Sequence, residues 1–571
     1  MTAIAELAMP ISPGLIVILG GLLVPFLTAG IARIYVLALS AATLVYVLGL
    51  PNGEHAAFAF MELDLQLLRV DKLSTVFGTI FLIALFLGNL YAWHERDRLQ
   101  RTATQVYAGS AIAAAYVGDL VSLFVFWELT AIASVFLVWA AGTDRSFRAG
   151  MRYLIIQIGS GVILLAGVLF HFHETGSIEF GHIGLGSVGG ALILLAFGIK
   201  CAFPLLHNWL QDAYPEATVT GTVILSAFTT KLAVYALARS YAGTDMLIWI
   251  GATMTAFPIF YAVIENDLRR VLAYSLNNQL GFMVVGVGIG TELALNGTAA
   301  HAFSHILYKA LLFMSMGAVL FRTGTCKGSE LGGLYKTMPW TTGFCIVGAA
   351  SISAFPLFSG FISKSMILTA AGGEGHFITW AILLFASAGV FHHSGIKVPF
   401  FAFFAHDSGL RPKEAPWNML LAMAITAGLC IGIGVWPEPL YAMLPFPVDY
   451  VPYTAAHVIT QLQLLLYAAL AFTFLMRTGL YPPELRSTNL DSDWIYRRIL
   501  PGVVHNLGMG IETVWSRLTG GGRAIVSASI DAASRNFGPY GIVGRTVRVG
   551  NGVAWVAVLL LVTLLVGYSA N

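Results

Sequence analysis

Long apolar runs, each close to the roughly 20 residues a helix needs to cross a bilayer core, alternate with short polar connections along this 571-residue chain. The runs fall near residues 12–31, 33–50, 73–93, 103–118, 120–141, 150–171, 188–209, 219–241, 246–264, 270–290, 297–321, 341–371, 377–404, 417–436, 459–477 and 552–569. They predict about sixteen helices, numbered here in that order. Composition agrees: 57 % of the residues are hydrophobic and 11 % are charged. A soluble protein carries about 25 % charge, so this chain lacks the polar residues to cover a water-facing surface. Soluble enzyme, secreted disulfide scaffold and nucleic-acid binder are excluded. The expected fold class is an all-α polytopic membrane protein with about 14–16 transmembrane helices.

The lysines and arginines orient it. Connections after odd-numbered helices carry fourteen, among them Arg96, Arg98, Arg101, Arg145, Arg148, Arg152, Arg269 and Arg270. Connections after even-numbered helices carry three, Arg69, Lys72 and Arg239. The positive-inside rule puts the first set in the cytoplasm of a cell-membrane protein with its N-terminus outside. No positive segment precedes the first run, so no cleaved signal peptide is expected. Nine further arginines, from Arg477 to Arg548, lie among Trp494, Ile495, Ile499, Leu500, Val514, Trp515 and Leu518. That pattern predicts a cytoplasmic amphipathic helix at the interface, broken at Gly520, Gly521 and Gly522.

Five cations remain: Lys200, Lys231, Lys309, Lys364 and Lys397, all within or at the edge of apolar runs. A lysine at mid-bilayer costs about 2.5–3.5 kcal/mol even on the lenient insertion scale. Packing gives no reason for five. Lys397, next to Pro399, reads either as snorkelling to the interface or as a functional group. Glu128 is the acidic side chain deep in a run, whereas Asp119 stands at the start of that helix and reads as interfacial. Glu128 serves either as a proton or cation ligand or in a structural ion pair, and both readings require a buried partner.

His301, His305 and Lys309 stand at i, i+4 and i+8, and four-residue steps drift only about 40° each on a helix. They form one polar stripe, and imidazole both donates and accepts near neutral pH, so the stripe reads as a proton wire. Two helices look broken. Lys200 precedes Pro204 in helix 7, and Pro356 and Gly360 precede Lys364 in helix 12. Proline frees carbonyls, which are tolerated at membrane depth only where protein or water satisfies them. Interrupted helices at corresponding places point to inverted repeats around a mid-membrane site. Helices 4–8 and 9–13 are the natural pair, with Lys200 and Lys364 at matching positions and no sequence repeat beyond the breaks. The corresponding segments are 1–102, 103–242, 243–405, 406–478 and 479–571. Scattered Cys201, Cys326, Cys345 and Cys430 and the lack of a glycine-rich phosphate motif give no readable metal, cluster or nucleotide site, so no cofactor is expected.

FVFWELTAIAS around Glu128, KCAFPLLHNWLQDAYPEAT, TTKLAVYALAR, ENDLRRVLAYSLNNQLGFM, AHAFSHILYKALLF and SGFISK together resemble the antiporter-like subunits shared by respiratory complex I and Mrp-type cation/proton antiporters. The resemblance covers roughly residues 70–400. It implies fourteen core helices with two inverted five-helix repeats, and a coupled pair Glu128 and Lys200. It also implies a central relay lysine at Lys231, a helix 11 relay of His301, His305 and Lys309, and a terminal Lys364. DAYPEAT and TTK resemble the D-type component of Mrp antiporters, while WELT resembles the A-type component. His392, His393 and Lys397 depart from the family pattern and leave open whether the relay ends at Lys364 or continues through Lys397. The implied function is proton translocation in a multi-subunit Na⁺/H⁺ antiporter, with other membrane subunits, lipid, H⁺ and Na⁺ as partners. Rivals are a proton-pumping subunit of a complex I-like NADH:quinone dehydrogenase or membrane hydrogenase, and a coupling component of a bicarbonate-uptake complex.

Overall fold

The computed structural model describes residues 10–60, 63–485, 489–539, 541, 543–544 and 549–569. The chain forms two units, 1–489 and 490–571. In the first, α1 (Pro13–Leu22), α2 (Ala29–Leu48) and α3 (Lys72–Tyr91) lead into α4 (Arg98–Tyr116), α5 (Leu120–Trp139) and α6 (Asp144–Thr175). Helix α7 is split into α7a (Val188–Cys201) and α7b (Asn208–Ala213), and α8 into α8a (Val219–Leu225) and α8b (Thr229–Ser240). Then come α9 (Asp245–Ile264), α10 (Leu268–Ile289), α11 (Glu292–Thr323), the split α12a (Pro339–Ile352) and α12b (Ser359–Gly373), and α13 from Phe377. Helices α14 (Trp417–Val435) and α15 (Ala455–Arg477) complete the unit. Among the described residues, eleven helices are long and apolar enough to cross a membrane. The remaining predicted runs are short, split, or rich in buried polar groups, as in α4 and α10.

Short polar residues set the helix starts. Asp71 and Ser74 form a reciprocal capping box on α3, and Thr143 and Ser146 form one on α6. Asp119 is buried and caps α5, accepting from Ser122 N at 2.7 Å and from Gln66 N at 2.8 Å.

Three features depart from the expected pattern. Residues 53–70, expected as a plain connection, form an antiparallel hairpin of β1 (Gly53–Phe60) and β2 (Leu63–Val70), with Gly53 opposite Val70. Helix α8, expected to be continuous, is interrupted at Ser226–Phe228. Helix α13 continues beyond Val390 as π-helix over Phe391–Lys397 and Phe400–Phe404. A π-turn accommodates an extra residue and commonly marks a functional site.

The two expected breaks share a short sequence and its backbone conformation. Ala202-Phe203-Pro204-Leu205 and Ala354-Phe355-Pro356-Leu357 are the same tetrapeptide. Both alanines and both leucines have positive φ: Ala202 62°, Leu205 69°, Ala354 56° and Leu357 74°. Phe203 N donates to Gly198 O and Phe355 N to Ala350 O, each at 3.0 Å. The five helices α4–α8 and α9–α13 each hold one such break. An odd number of crossings per repeat runs the two breaks in opposite directions. In the register set by the tetrapeptides, Lys200 corresponds to Ile352 and Lys364 to Asp212, so the two lysines are not matched in sequence. One precedes its break and the other follows it.

In the second unit, α16 (Leu500–Phe537) is one helix of 38 residues that passes through Gly520–Gly522, and α17 (Val549–Ser569) follows. The expected glycine break does not occur. Each helical glycine costs about 1 kcal/mol relative to alanine, which a long amphipathic helix absorbs.

The breaks yield a stability prediction. Ala354→Val places a β-branched side chain at positive φ and is expected to destabilise the chain by about 1–3 kcal/mol, whereas Ala354→Gly is tolerated. Thermal unfolding of the purified protein in mild detergent checks it. Equal midpoints for the two variants would show that the left-handed geometry carries no constraint.

Candidate functional site

All five intramembrane lysines are buried: the side chains of Lys200, Lys231, Lys309 and Lys397 are inaccessible, and Lys364 is 1 % exposed. Four of them have no carboxylate partner among the described residues. Their ammonium groups rest instead on backbone carbonyls and hydroxyls, two of them at helix interruptions. Lys200 Nζ donates to Trp127 O and, at 2.9 Å, to Thr130 Oγ1, and lies 4.3 Å from the Trp127 ring centroid. Lys231 Nζ donates to Ser226 O at 2.5 Å, in the α8 break, and to Thr230 Oγ1 at 3.2 Å. Lys364 Nζ donates to Ile352 O at 3.1 Å, beside the α12 break, and stands 5.0 Å from the Phe282 ring. Lys309 Nζ meets Ser275 Oγ at 2.8 Å and Leu272 O at 3.4 Å.

These contacts matter chemically because a carbonyl or hydroxyl oxygen accepts from a neutral amine as well as from an ammonium. A carboxylate in contact would favour the charged form strongly. The geometry therefore leaves these lysines able to hold either charge state.

Glu128 and Lys200, expected as a coupled pair, act on each other electrostatically without a hydrogen bond between them. It is half-buried on α5, and its Oε1 is buried without a hydrogen-bond partner among the described residues. The carboxylate lies against Gly161 of α6, where a Cβ would stand 1.3 Å from Oε1 and 2.4 Å from Cδ. Lys200 is within its electrostatic reach but hydrogen-bonds elsewhere. A carboxylate near but not on the lysine can bias its charge without locking it.

The helix 11 stripe exists. The His301 and His305 ring centroids are 6.2 Å apart on the same helix, both rings fully buried. His301 Nδ1 lies 3.2 Å from Ser363 Oγ, next to Lys364, and its Nε2 lies 3.2 Å from Gln279 Oε1. Neither nitrogen of His305 has a partner among the described residues, and Lys231, Lys309, His301 and Lys364 all act on it electrostatically. His305 thus lies at the centre of the array. Lys397 does not snorkel: it forms an ion pair with Glu484 at 3.0 Å and donates to Ala262 O, Val263 O and Glu265 O at 3.2, 2.6 and 2.6 Å. His393 Nδ1 is 2.9 Å from Ser394 Oγ, whereas His392 has no hydrogen-bond partner among the described residues and packs against the rings of Phe472 and Tyr481.

Several site residues are neutral and carry no signal in a search for charge. Gln279 accepts from Tyr308 Oη at 3.1 Å and reaches His301. Asn277 Nδ2 satisfies Ala202 O at 3.1 Å, closing one break, and Gln461 Nε2 satisfies Ser353 O at 3.1 Å in the other. Asn277, Asn278 and Gln279 form a wholly buried run of three amides in α10, and that pattern could have singled them out.

A sequence model of the family described as NADH:quinone oxidoreductase/Mrp antiporter, transmembrane, matches residues 117–388, which hold Glu128 and four of the five lysines. The chain is 28 % identical over 421 residues to the D-type subunit of the Na⁺/H⁺ antiporter of Alkalihalophilus pseudofirmus, covering 70 % of this chain and 84 % of that protein. It is 32 % identical over 340 residues to the N-type subunit of the NADH-quinone oxidoreductase of Desulforudis audaxviator, covering 54 % of this chain and 68 % of that protein. In fold it is similar to a chain of the Mrp complex from Dietzia sp. DQ12-45-1b, with a TM-score of 0.68 at 21 % identity, covering 78 % of this chain and 99 % of that one.

The seat of Glu128 can be tested without removing its charge. All three nearest neighbours of a Cβ at Gly161 are Glu128 side-chain atoms, so Gly161→Ala displaces the carboxylate while leaving helix packing intact. It is expected to lower proton transport by about tenfold or more in the assembled complex, as Glu128→Gln does. Proton release from vesicles, with assembly followed by co-purification, checks this. Unchanged transport in Gly161→Ala would show that the position of the carboxylate is immaterial.

Proposed function

The chain belongs to the NADH:quinone oxidoreductase/Mrp antiporter family, and on that premise we propose that it is the proton-translocating, D-type component of a multi-subunit Na⁺/H⁺ antiporter. Its partners are other membrane subunits of a hetero-oligomeric complex. The observation that carries the reading is the buried row of lysines and histidines held by carbonyls, hydroxyls and amides in place of carboxylates. Such groups gain and lose protons without breaking an ion pair each time.

In the proposed cycle a proton reaches Lys200 beside the α7 break and passes to Lys231, then to His305. From there it moves to Lys309 or, through His301, to Lys364. Glu128 sets the start of the row: close to Lys200 it favours the ammonium, and when it moves away the cost of burying charge favours release of the proton. Water fills the steps that lack direct hydrogen bonds, such as those around His305. Positive charge on the connections after odd-numbered helices supports an N-terminus on the outside of the cell membrane.

The second reading places the same relay in a redox-driven complex, with electron transfer in neighbouring subunits in place of a Na⁺ gradient. The 32 % identity to an NADH-quinone oxidoreductase component favours it.

Two substitutions test the relay. Lys231→Ala removes the titrating group, and Lys231→Arg keeps the charge while fixing the proton, since guanidinium does not deprotonate in proteins. Both are expected to reduce ion-coupled proton transport by about a hundredfold or more while the complex still assembles. Normal transport in either variant would contradict proton transfer through Lys231. Dependence of proton release on added Na⁺ separates the antiporter reading from the redox-driven one.

A further inference from the structure

Lys309 has a second way out. Its ammonium donates to Ser275 Oγ at 2.8 Å, Ser394 Oγ lies 2.7 Å from the same Ser275 oxygen, and His393 Nδ1 lies 2.9 Å from Ser394 Oγ. The four groups form an unbroken chain from α11 through α10 to the π-helical part of α13. All are fully buried, and the far nitrogen of His393 has no partner among the described residues. With about 4.4 residues per π-turn, residues four apart share a face, so Lys397 follows His393 one turn on.

Lys397 ends this line against Glu484, whose side chain is 7 % exposed. Glu484 also lines a surface cavity of about 330 Å³, together with Ser329, Phe401, His406 and Tyr481. The cavity is built from the segments after α11, α13 and α15, on the side where the arginine-rich connections lie. The charged neighbour on α9 is Glu265, whose backbone carbonyl holds Lys397 and whose carboxylate accepts from Asn489 Nδ2 at 3.1 Å.

We propose that a branch of the proton path leaves the row at Lys309, runs through Ser275, Ser394 and His393 to Lys397, and ends at the Glu484 carboxylate, which exchanges protons with water in this cavity. The proposal rests on the proton-relay reading above and adds its terminus on one face. Proton balance is direct. Lys397 gives its proton to Glu484, which releases it to cavity water and returns to carboxylate. The neutral Lys397 then takes a proton from the His393 imidazolium. His393 is recharged from Lys309 as each serine hydroxyl accepts one proton and passes on its own, and Lys309 is left as a neutral amine. Serine hydroxyls rotate, so the chain runs in either sense. Burial raises the Glu484 carboxyl above its ordinary value while Lys397 opposes the shift, which brings it nearer to a group that exchanges protons readily. A purely structural Lys397–Glu484 pair has no need of a hydroxyl–imidazole chain behind it or of a cavity in front.

The test uses the intact complex in vesicles. Glu484→Gln keeps the size and a hydrogen bond to Lys397 but cannot shuttle a proton; it is expected to slow proton transport at least about fivefold, with Glu484→Asp restoring most of it. A second arm does not touch the pair. The four native cysteines are buried, so His406→Cys presents an accessible thiol at the cavity, and a bulky membrane-impermeant thiol reagent is expected to slow transport similarly. Wild-type rates in Glu484→Gln and in labelled His406→Cys, while Lys231→Ala is inactive, would overturn the branch and leave the relay standing. If Lys231→Ala is also fully active, the relay reading itself falls. Should Glu484→Gln fail to co-purify with its partners, the thiol arm alone decides.

Discussion

A cation buried at membrane depth needs oxygen around it, and a helix normally has none to give, because its carbonyls are committed to its own amides. The rest of this molecule depends on how that shortage is met. Helices α7, α8 and α12 are interrupted, and α13 is wound as a π-helix after Val390. Ser226 O goes to Lys231 and Ile352 O to Lys364, while the end of α9 supplies three carbonyls to Lys397. Carbonyls that lysines do not use are taken by amides, Asn277 at Ala202 and Gln461 at Ser353. Freed acceptors are thus matched to donors, so the breaks are stable features.

That solution differs from burying five ion pairs. Ion pairs would meet the desolvation cost only with good geometry, and they would fix each lysine as a cation. Carbonyls and hydroxyls meet it less completely and leave the charge free to change. Lys397 is the exception, with both three carbonyls and Glu484 around it. It stands at the edge of the buried row, where its carboxylate neighbour Glu484 lines a surface cavity. Glu128 occupies the other end in a similar spirit, near a lysine yet seated on Gly161.

The large-scale design was legible in the sequence because it is written in long apolar runs and in the few charges that interrupt them. The order of helices, the five lysines, Glu128, the histidine stripe and the breaks at Pro204 and Pro356 were all readable this way. What was not readable was either short or neutral. The β1–β2 hairpin has eight residues per strand and no strong contrast with its surroundings. The α8 break contains no proline or glycine, only Ser226, Ala227 and Phe228, and the repeated Ala-Phe-Pro-Leu is four residues long. Ser275, Ser394 and Gln279 carry no charge, and Glu484 lies far from Lys397 in sequence, so only the folded chain brings them to the site. Lys200 and Lys364 looked equivalent because each lies on a helix interrupted by proline, yet they approach their breaks from opposite sides.

In the proposed relay the buried lysines change charge during turnover, and the chain is well suited to a direct look at this. It contains nine lysines, five within the membrane region and four outside it. With ¹⁵N at the side-chain nitrogen, magnetic-resonance spectra of the assembled complex in lipid distinguish ammonium from neutral amine. Neutral-amine signals assignable to Lys200, Lys231, Lys309 or Lys364 are expected to appear and to change in population when a proton gradient is imposed. Nine ammonium signals that stay unchanged under the gradient would contradict it.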